Sequence, residues 1–180
     1  MLARACWPEP ADDGAAPPAV PGFIVSSFNP LVIEVAERCL RQVFGEPPAA
    51  EPRRAAGVGI LLASAGGDQG TARALAEAVA AGARVPPLLF FQSNPNAVLG
   101  HVAARWGLAG PVISLGPAAT GRGETPEQTC RLSLAEALTA AAVLIGDGDA
   151  REALVLAVEQ GTVPGAAGDR AVALYVAGDG

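Results

Sequence analysis

GVGILLASAGGDQGTARALAEAVAAG, residues 57–82, is the stretch from which the fold can be read. Its first part, Gly57–Ser64, is an unbroken apolar run between turn residues. A strand exposed on one side alternates polar and apolar positions; an unbroken run fits a strand buried on both faces. Gly66, Gly67 and Gly70 then turn the chain. The Ala-rich Thr71–Gly82 reads as a helix.

Working outward, strands and helices keep alternating. Upstream, Leu31–Phe44 carries apolar residues at Leu31, Val32, Val35, Ala36, Cys39, Leu40 and Val43, the stripe of an amphipathic helix. Asn29 is a candidate N-cap, with Pro30 at the helix start. Gly22–Ser27 reads as a short strand. Residues 1–21 hold five prolines and read as a flexible lead-in, because proline suits neither helix interior nor sheet ladder. The folded domain is therefore expected to span 22–180.

Downstream, Pro86–Pro87 interrupts the chain before the apolar Leu88–Phe91. Asn94–Pro95 opens a helix reaching Trp106, which Gly110–Pro111 closes off. Val112–Leu115 is a strand, residues 116–127 are loop, and Leu132–Ile145 is a long apolar helix. Glu152–Glu159 and Ala171–Ala177 are two further strands. The pattern predicts an α/β fold, a mixed sheet flanked by helices, with no internal repeat.

Composition narrows the function. The 180 residues suit one domain, and 51% of them are hydrophobic, enough to build a core. The net charge of −6 argues against nucleic acid and against anionic membrane surfaces. Aromatic residues make up 4%, too few for a base-stacking platform. Cys6, Cys39 and Cys130 are far apart and form no C-x-x-C pair, so neither a zinc site nor a disulfide framework is indicated. No signal-peptide pattern and no uninterrupted run of roughly 18 apolar residues is present, so a cytoplasmic protein without a membrane partner is expected. No cofactor or metal is implied.

Candidate sites are few. Gly66–Gly70 sits between strand and helix, where backbone N–H groups can hold phosphate. Its spacing matches no nucleotide-binding fingerprint, and the nearest cation is Arg73. His101 is the only histidine, and its ordinary reading is a packed or solvent-facing side chain. Cys39 lies on an apolar stripe and reads as a small core residue. Cys130, near a loop–helix boundary, is a candidate reactive thiol if a helix N-terminus lowers its pKa. Cys6 falls in the lead-in. Asp147, Asp149 and Glu152 match no calcium-loop spacing and read as a solvated turn. Whether Arg53, Arg54, Arg84, Arg105, Arg122 and Arg131 converge on one basic patch is open.

Asn96-Ala97-Val98-Leu99-Gly100, followed by Gly107-Leu108-Ala109-Gly110-Pro111, resembles the N-terminal half of β-ketoacyl synthases, with their Asn-x-x-x-Gly helix and Gly-Leu-x-Gly-Pro turn. Gly57–Ser64 and Leu134–Glu159 resemble the flanking strand and the helix–strand unit of that family. The resemblance covers roughly 22–178. It implies one half of a thiolase-like fold. It also implies a nucleophilic cysteine, in an Ala-Cys-x-Ser context, soon after the Gly-Pro turn. Counting the family spacing from Gly110-Pro111 puts Ala119 at that position, and alanine cannot form an acyl-enzyme. The neighbouring Thr120 is a weak, unassisted hydroxyl. The histidines that the resemblance assigns to a second half are not among these residues.

The resemblance thus implies a non-catalytic ketosynthase-like subunit or scaffold in polyketide or fatty-acid type biosynthesis. A half-fold leaves an apolar face open, and large open faces are interaction sites. The expected interface is the strand Val112, Ile113, Ser114 and Leu115 with the helix residues Leu134, Leu138, Ala141 and Ile145. The expected partners are a second copy, a ketosynthase or an acyl carrier protein, the last disfavoured by like charge. Two alternatives stand beside this reading. One is an acyl-transfer or hydrolytic enzyme using Cys130 or Thr120. The other is a small-ligand or nucleotide-binding domain using Gly66–Gly70.

Overall fold

A computed structural model describes residues 1–12, 15–116, 123, 125–161 and 168–178. In chain order the elements are β1 (Ala3–Trp7), α1 (Phe28–Phe44), α2 (Pro52–Ala55), β2 (Val58–Ala63), α3 (Gln69–Ala80), α4 (Pro87–Gln92), α5 (Pro95–Trp106), β3 (Val112–Leu115), α6 (Pro126–Gly146), β4 (Glu152–Glu159) and β5 (Arg170–Ala177). The five strands form one mixed sheet in the order β1-β5-β4-β2-β3. β2 is parallel to β3 and β4, while β5 is antiparallel to β4 and β1.

The strand expected to be buried on both faces is observed. All six residues of β2 are buried, because helices lie against both sides of the sheet. Ile60 and Leu62 point to one face and join the core made with α1 and α5. Leu61 and Ala63 point to the other and pack toward Ala137 and Ala141 of α6. β3, β4 and β5 lie where the apolar runs predicted them, and α5 begins at Pro95 under an Asn94 cap.

Three local expectations are corrected. The supposed lead-in contains β1: Ala3–Trp7 holds no proline, its residues alternate in burial, and it pairs in register with β5 from Ala3–Tyr175 to Trp7–Ala171. The domain thus takes in residues before 22. Gly22–Ser27 is not a strand; only the isolated Val20–Phe23 bridge forms, Phe23 is buried, and Ile24 is 74% exposed. Finally, α1 starts at Phe28 behind Ser27, so Asn29 is inside the helix. Its side-chain amide instead donates to the Asp68 carboxylate and the Gln92 carbonyl.

α6 begins six residues before the predicted helix, at a complete capping box. The Thr125 hydroxyl accepts from the Gln128 N–H, and the Gln128 side chain accepts from the Thr125 N–H.

Candidate functional site

The sheet has two unlike faces. The α1–α5 face is closed. Its polar centre is Glu37, buried, whose carboxylate accepts from Arg105 Nε at 2.7 Å and Trp106 Nε1 at 2.9 Å and pairs with Arg41 at 3.0 Å.

The other face carries α6 alone among the described helices of substantial length. α6 meets the sheet through Cys130, Ser133, Ala137 and Ala141. Ser133 donates to Glu159 Oε1 at 2.7 Å, and the same buried carboxylate accepts from the Ala65 and Gly66 N–H groups at 2.6 and 3.0 Å. The acid at the end of β4 thereby ties the β2–α3 turn to α6. On the opposite side of α6, Leu132 is 43% and Val143 is 57% exposed, and Ala135 and Ala142 are exposed as well. Beyond Glu136 the helix holds no charged residue. By length and composition α6 is also the one described helix apolar enough to cross a bilayer, with 22% of its most apolar window buried.

The predicted interface residues divide accordingly. Val112 and Ser114 are exposed on β3, which lies at the sheet edge with β2 as its one partner among the described strands. Ile113 and Leu115 turn toward α6. Leu134, Leu138 and Ile145 flank the helix and are half-buried. Ala141 is a correction: at 1% exposure it lies against the sheet and is closed to a partner. The truly outward positions are Leu132, Ala135, Ala142 and Val143, one step around the helix.

The Cys130 alternative loses its geometry. Cys130 is buried, its Sγ facing the Ala157 carbonyl at 3.6 Å. Burial first, and the Glu159 charge second, push the thiol up to about 12, so it is protonated at neutral pH. His101 belongs to α5, against the other face of the sheet, where its ring stands edge-on to Phe23 at 5.7 Å. The sheet therefore separates the thiol from the imidazole. Ala119, Thr120 and Arg122 lie outside the described residues. Cys39 is buried and likewise pushed up to about 12 by burial. Cys6 is half-buried on β1.

The glycine turn is equally committed. Gly67 takes a positive φ of 63° and donates to Ser64 Oγ; Gly70 donates to Gln160 Oε1; Thr71 donates to the Asp68 cap. With Glu159 holding Ala65 and Gly66, the amides that phosphate would need are spent on the protein's own acceptors, beside two carboxylates. This overturns the nucleotide reading of Gly66–Gly70.

The acidic and basic clusters also resolve. Glu152 is bound by Arg54 at 2.7 and 2.8 Å and by the Tyr175 hydroxyl at 3.0 Å, away from the exposed Asp147 and Asp149. Burial pulls the Glu152 carboxyl upward, but these hydrogen bonds outweigh it and hold it below its usual range. No metal-binding group of acids, cysteines or histidine occurs among the described residues. Among the described arginines, Arg54 serves Glu152, Arg105 serves Glu37, and Arg131 lines a separate cavity with Arg4 and Arg170. Sequence reasoning missed Arg4 and Arg170 because strand registry alone brings them beside α6.

No protein-family model matches the chain, and no curated protein does. Solved structures do. A chain of the ketosynthase–chain length factor complex from Xenorhabdus doucetiae superposes with a TM-score of 0.61 at 20% identity, over 89% of this chain and 62% of that one. The ishigamide ketosynthase/chain length factor gives 0.63 at 19% identity, over 87% and 45%. A beta-ketoacyl synthase from Burkholderia phymatum STM815 gives 0.65 at 16% identity, over 97% and 52%. The chain has the ketosynthase-like thiolase fold, an α/β mixed sheet flanked by helices. It spans less than two thirds of the length of each of these structures.

Proposed function

We propose that this chain is a non-catalytic ketosynthase-like subunit that works by association, its open α6 face and β3 edge covered by a second thiolase-like unit. The observation that carries the reading is α6 itself: 21 residues, mostly apolar, with one narrow stripe buried and the opposite side exposed. Exposed apolar surface of this kind is costly in water and marks an interface. The unpaired edge of β3 adds hydrogen-bonding groups that a partner strand can use.

Two of the structural neighbours are complexes of a ketosynthase with a chain length factor, which supports a ketosynthase as the partner in preference to a second copy. The net charge of −6 disfavours an acidic carrier protein as the direct partner. A bilayer is a poorer cover, because a helix crossing it would leave the Ser133–Glu159 bond and the sheet behind.

The residue at the family nucleophile position supports an absence of condensation chemistry. Counting forward from Gly110-Pro111 gives Ala119. The buried, protonated Cys130 supports the same conclusion.

Light scattering tests the reading, with the chain alone and mixed with the ketosynthases of its source organism. A mass increase with one ketosynthase, lost in Val143→Arg and Leu132→Glu, is expected. A monomer indifferent to all of them overturns the subunit reading. A stable adduct on Cys130 or Thr120 after incubation with an acyl-thioester analogue overturns the non-catalytic part.

A further inference from the structure

α6 lies over β2 and β4 and reaches β5, leaving the strip of sheet beside β1 open. A cavity of about 520 Å3 occupies that strip. Its apolar wall is built from Leu134, Val172 and Leu174, and its rim carries Arg4, Arg131 and Arg170. Glu127 is the lining carboxylate, and it is already paired with Arg131 at 2.5 Å. Among the described residues, no carboxylate lies within ion-pair distance of the Arg4 or Arg170 guanidinium; Arg170 Nη1 donates to the Asp169 carbonyl. Three guanidiniums thus gather at one apolar cavity in a chain whose net charge is −6.

We infer that this cavity binds an amphipathic anion: an alkyl body against Leu134, Val172 and Leu174, and a carboxylate or phosphate head held by Arg4, Arg170 and Arg131. Arginine suits this role because its planar fork stays charged and bonds such heads in pairs. The volume suits a small molecule. Small-molecule sites run about 300–1,000 Å3. The site belongs to this chain alone and does not depend on the partner proposed above.

Titration calorimetry on the full chain without partner tests it, with dodecanoate, dodecyl phosphate, dodecanol and acetate as probes. Dodecanoate or dodecyl phosphate is expected to bind one-to-one, the tighter of the two naming the head group. Dodecanol and acetate are expected to bind at least about tenfold more weakly, since each lacks one half of the recognition. The double variant Arg4→Gln/Arg170→Gln is expected to lose about tenfold for the anions and nothing for dodecanol. Arg131→Gln is expected to lose less, its charge being shared with Glu127. Equal binding of dodecanoate and dodecanol, unchanged affinity in the double variant, or no binding of either anion overturns the inference. Because the readout is a ligand and not a mass, its failure leaves the subunit reading standing, and the reverse holds too.

Discussion

The two faces of one sheet differ in how far they are finished. On the α1–α5 side, Leu31, Leu40, Leu99, Val102 and Trp106 are fully buried against Ile60, Leu62, Leu154 and Tyr175. On the α6 side the fully buried set is small and Ala-rich, and it is ringed by half-buried Leu134, Leu138 and Ile145. The first face is a core that holds the domain together. The second is thinner: small residues let α6 sit close to the sheet while its outer side stays apolar.

The contrast is sharpest in cavity mutations. Leu40→Ala, with no exposed surface to relax into, is expected to cost about 2–5 kcal/mol in urea unfolding. A cost near zero would mean that the first face is not the core.

The polar anchors come next. Glu37→Ala leaves the Trp106 N–H buried without its acceptor, and Glu159→Ala removes the carboxylate that accepts from the buried Ser133 hydroxyl and from the Ala65 and Gly66 N–H groups. Each is expected to cost about 1–3 kcal/mol. A much smaller loss for Glu159→Ala would show α6 to be held by apolar contact alone.

Acid separates the faces differently. The Arg38 hydrogen bonds hold the Asp12 carboxyl below its usual value, against a smaller effect of burial, and Glu152 is held low as described. A carboxyl depressed in the fold adds stability that is complete above its unfolded value, about pH 4, and is lost as pH falls through the folded one. Both acids brace the closed face and the sheet end, so the melting temperature should be flat from neutral pH to about 5 and drop below about 4. Asp12→Asn should flatten that drop, and an unchanged profile would remove Asp12 from the account.

The smallest effect is the most telling. Val143→Ala on the outer side of α6 is expected to change stability by less than about 0.5 kcal/mol. A larger loss, measured by the same urea unfolding, would mean that this side is already packed in the isolated chain.

Much of this architecture could be read locally. GVGILLAS at 57–64 and EALVLAVE at 152–159 are apolar without alternation, and each is a strand covered on both sides. β1 escaped because a five-residue strand next to prolines carries little signal of its own; it forms because β5 offers it a partner edge. Ile24 and Val25 show the converse, an apolar run that no ladder takes up.

By itself the sequence determined the α/β class, the strands from residue 57 onward and the helices near Thr71–Gly82, Asn94–Trp106 and Leu132–Ile145, because burial periodicity is a property of neighbours along the chain. Tertiary structure decided the rest. It set Cys130 and His101 on opposite sides of the sheet, closed the glycine turn onto Glu159, turned Ala141 inward, and brought Arg4, Arg131 and Arg170 around one cavity. Those outcomes depend on strand order and register between residues distant in the chain, which no local pattern encodes.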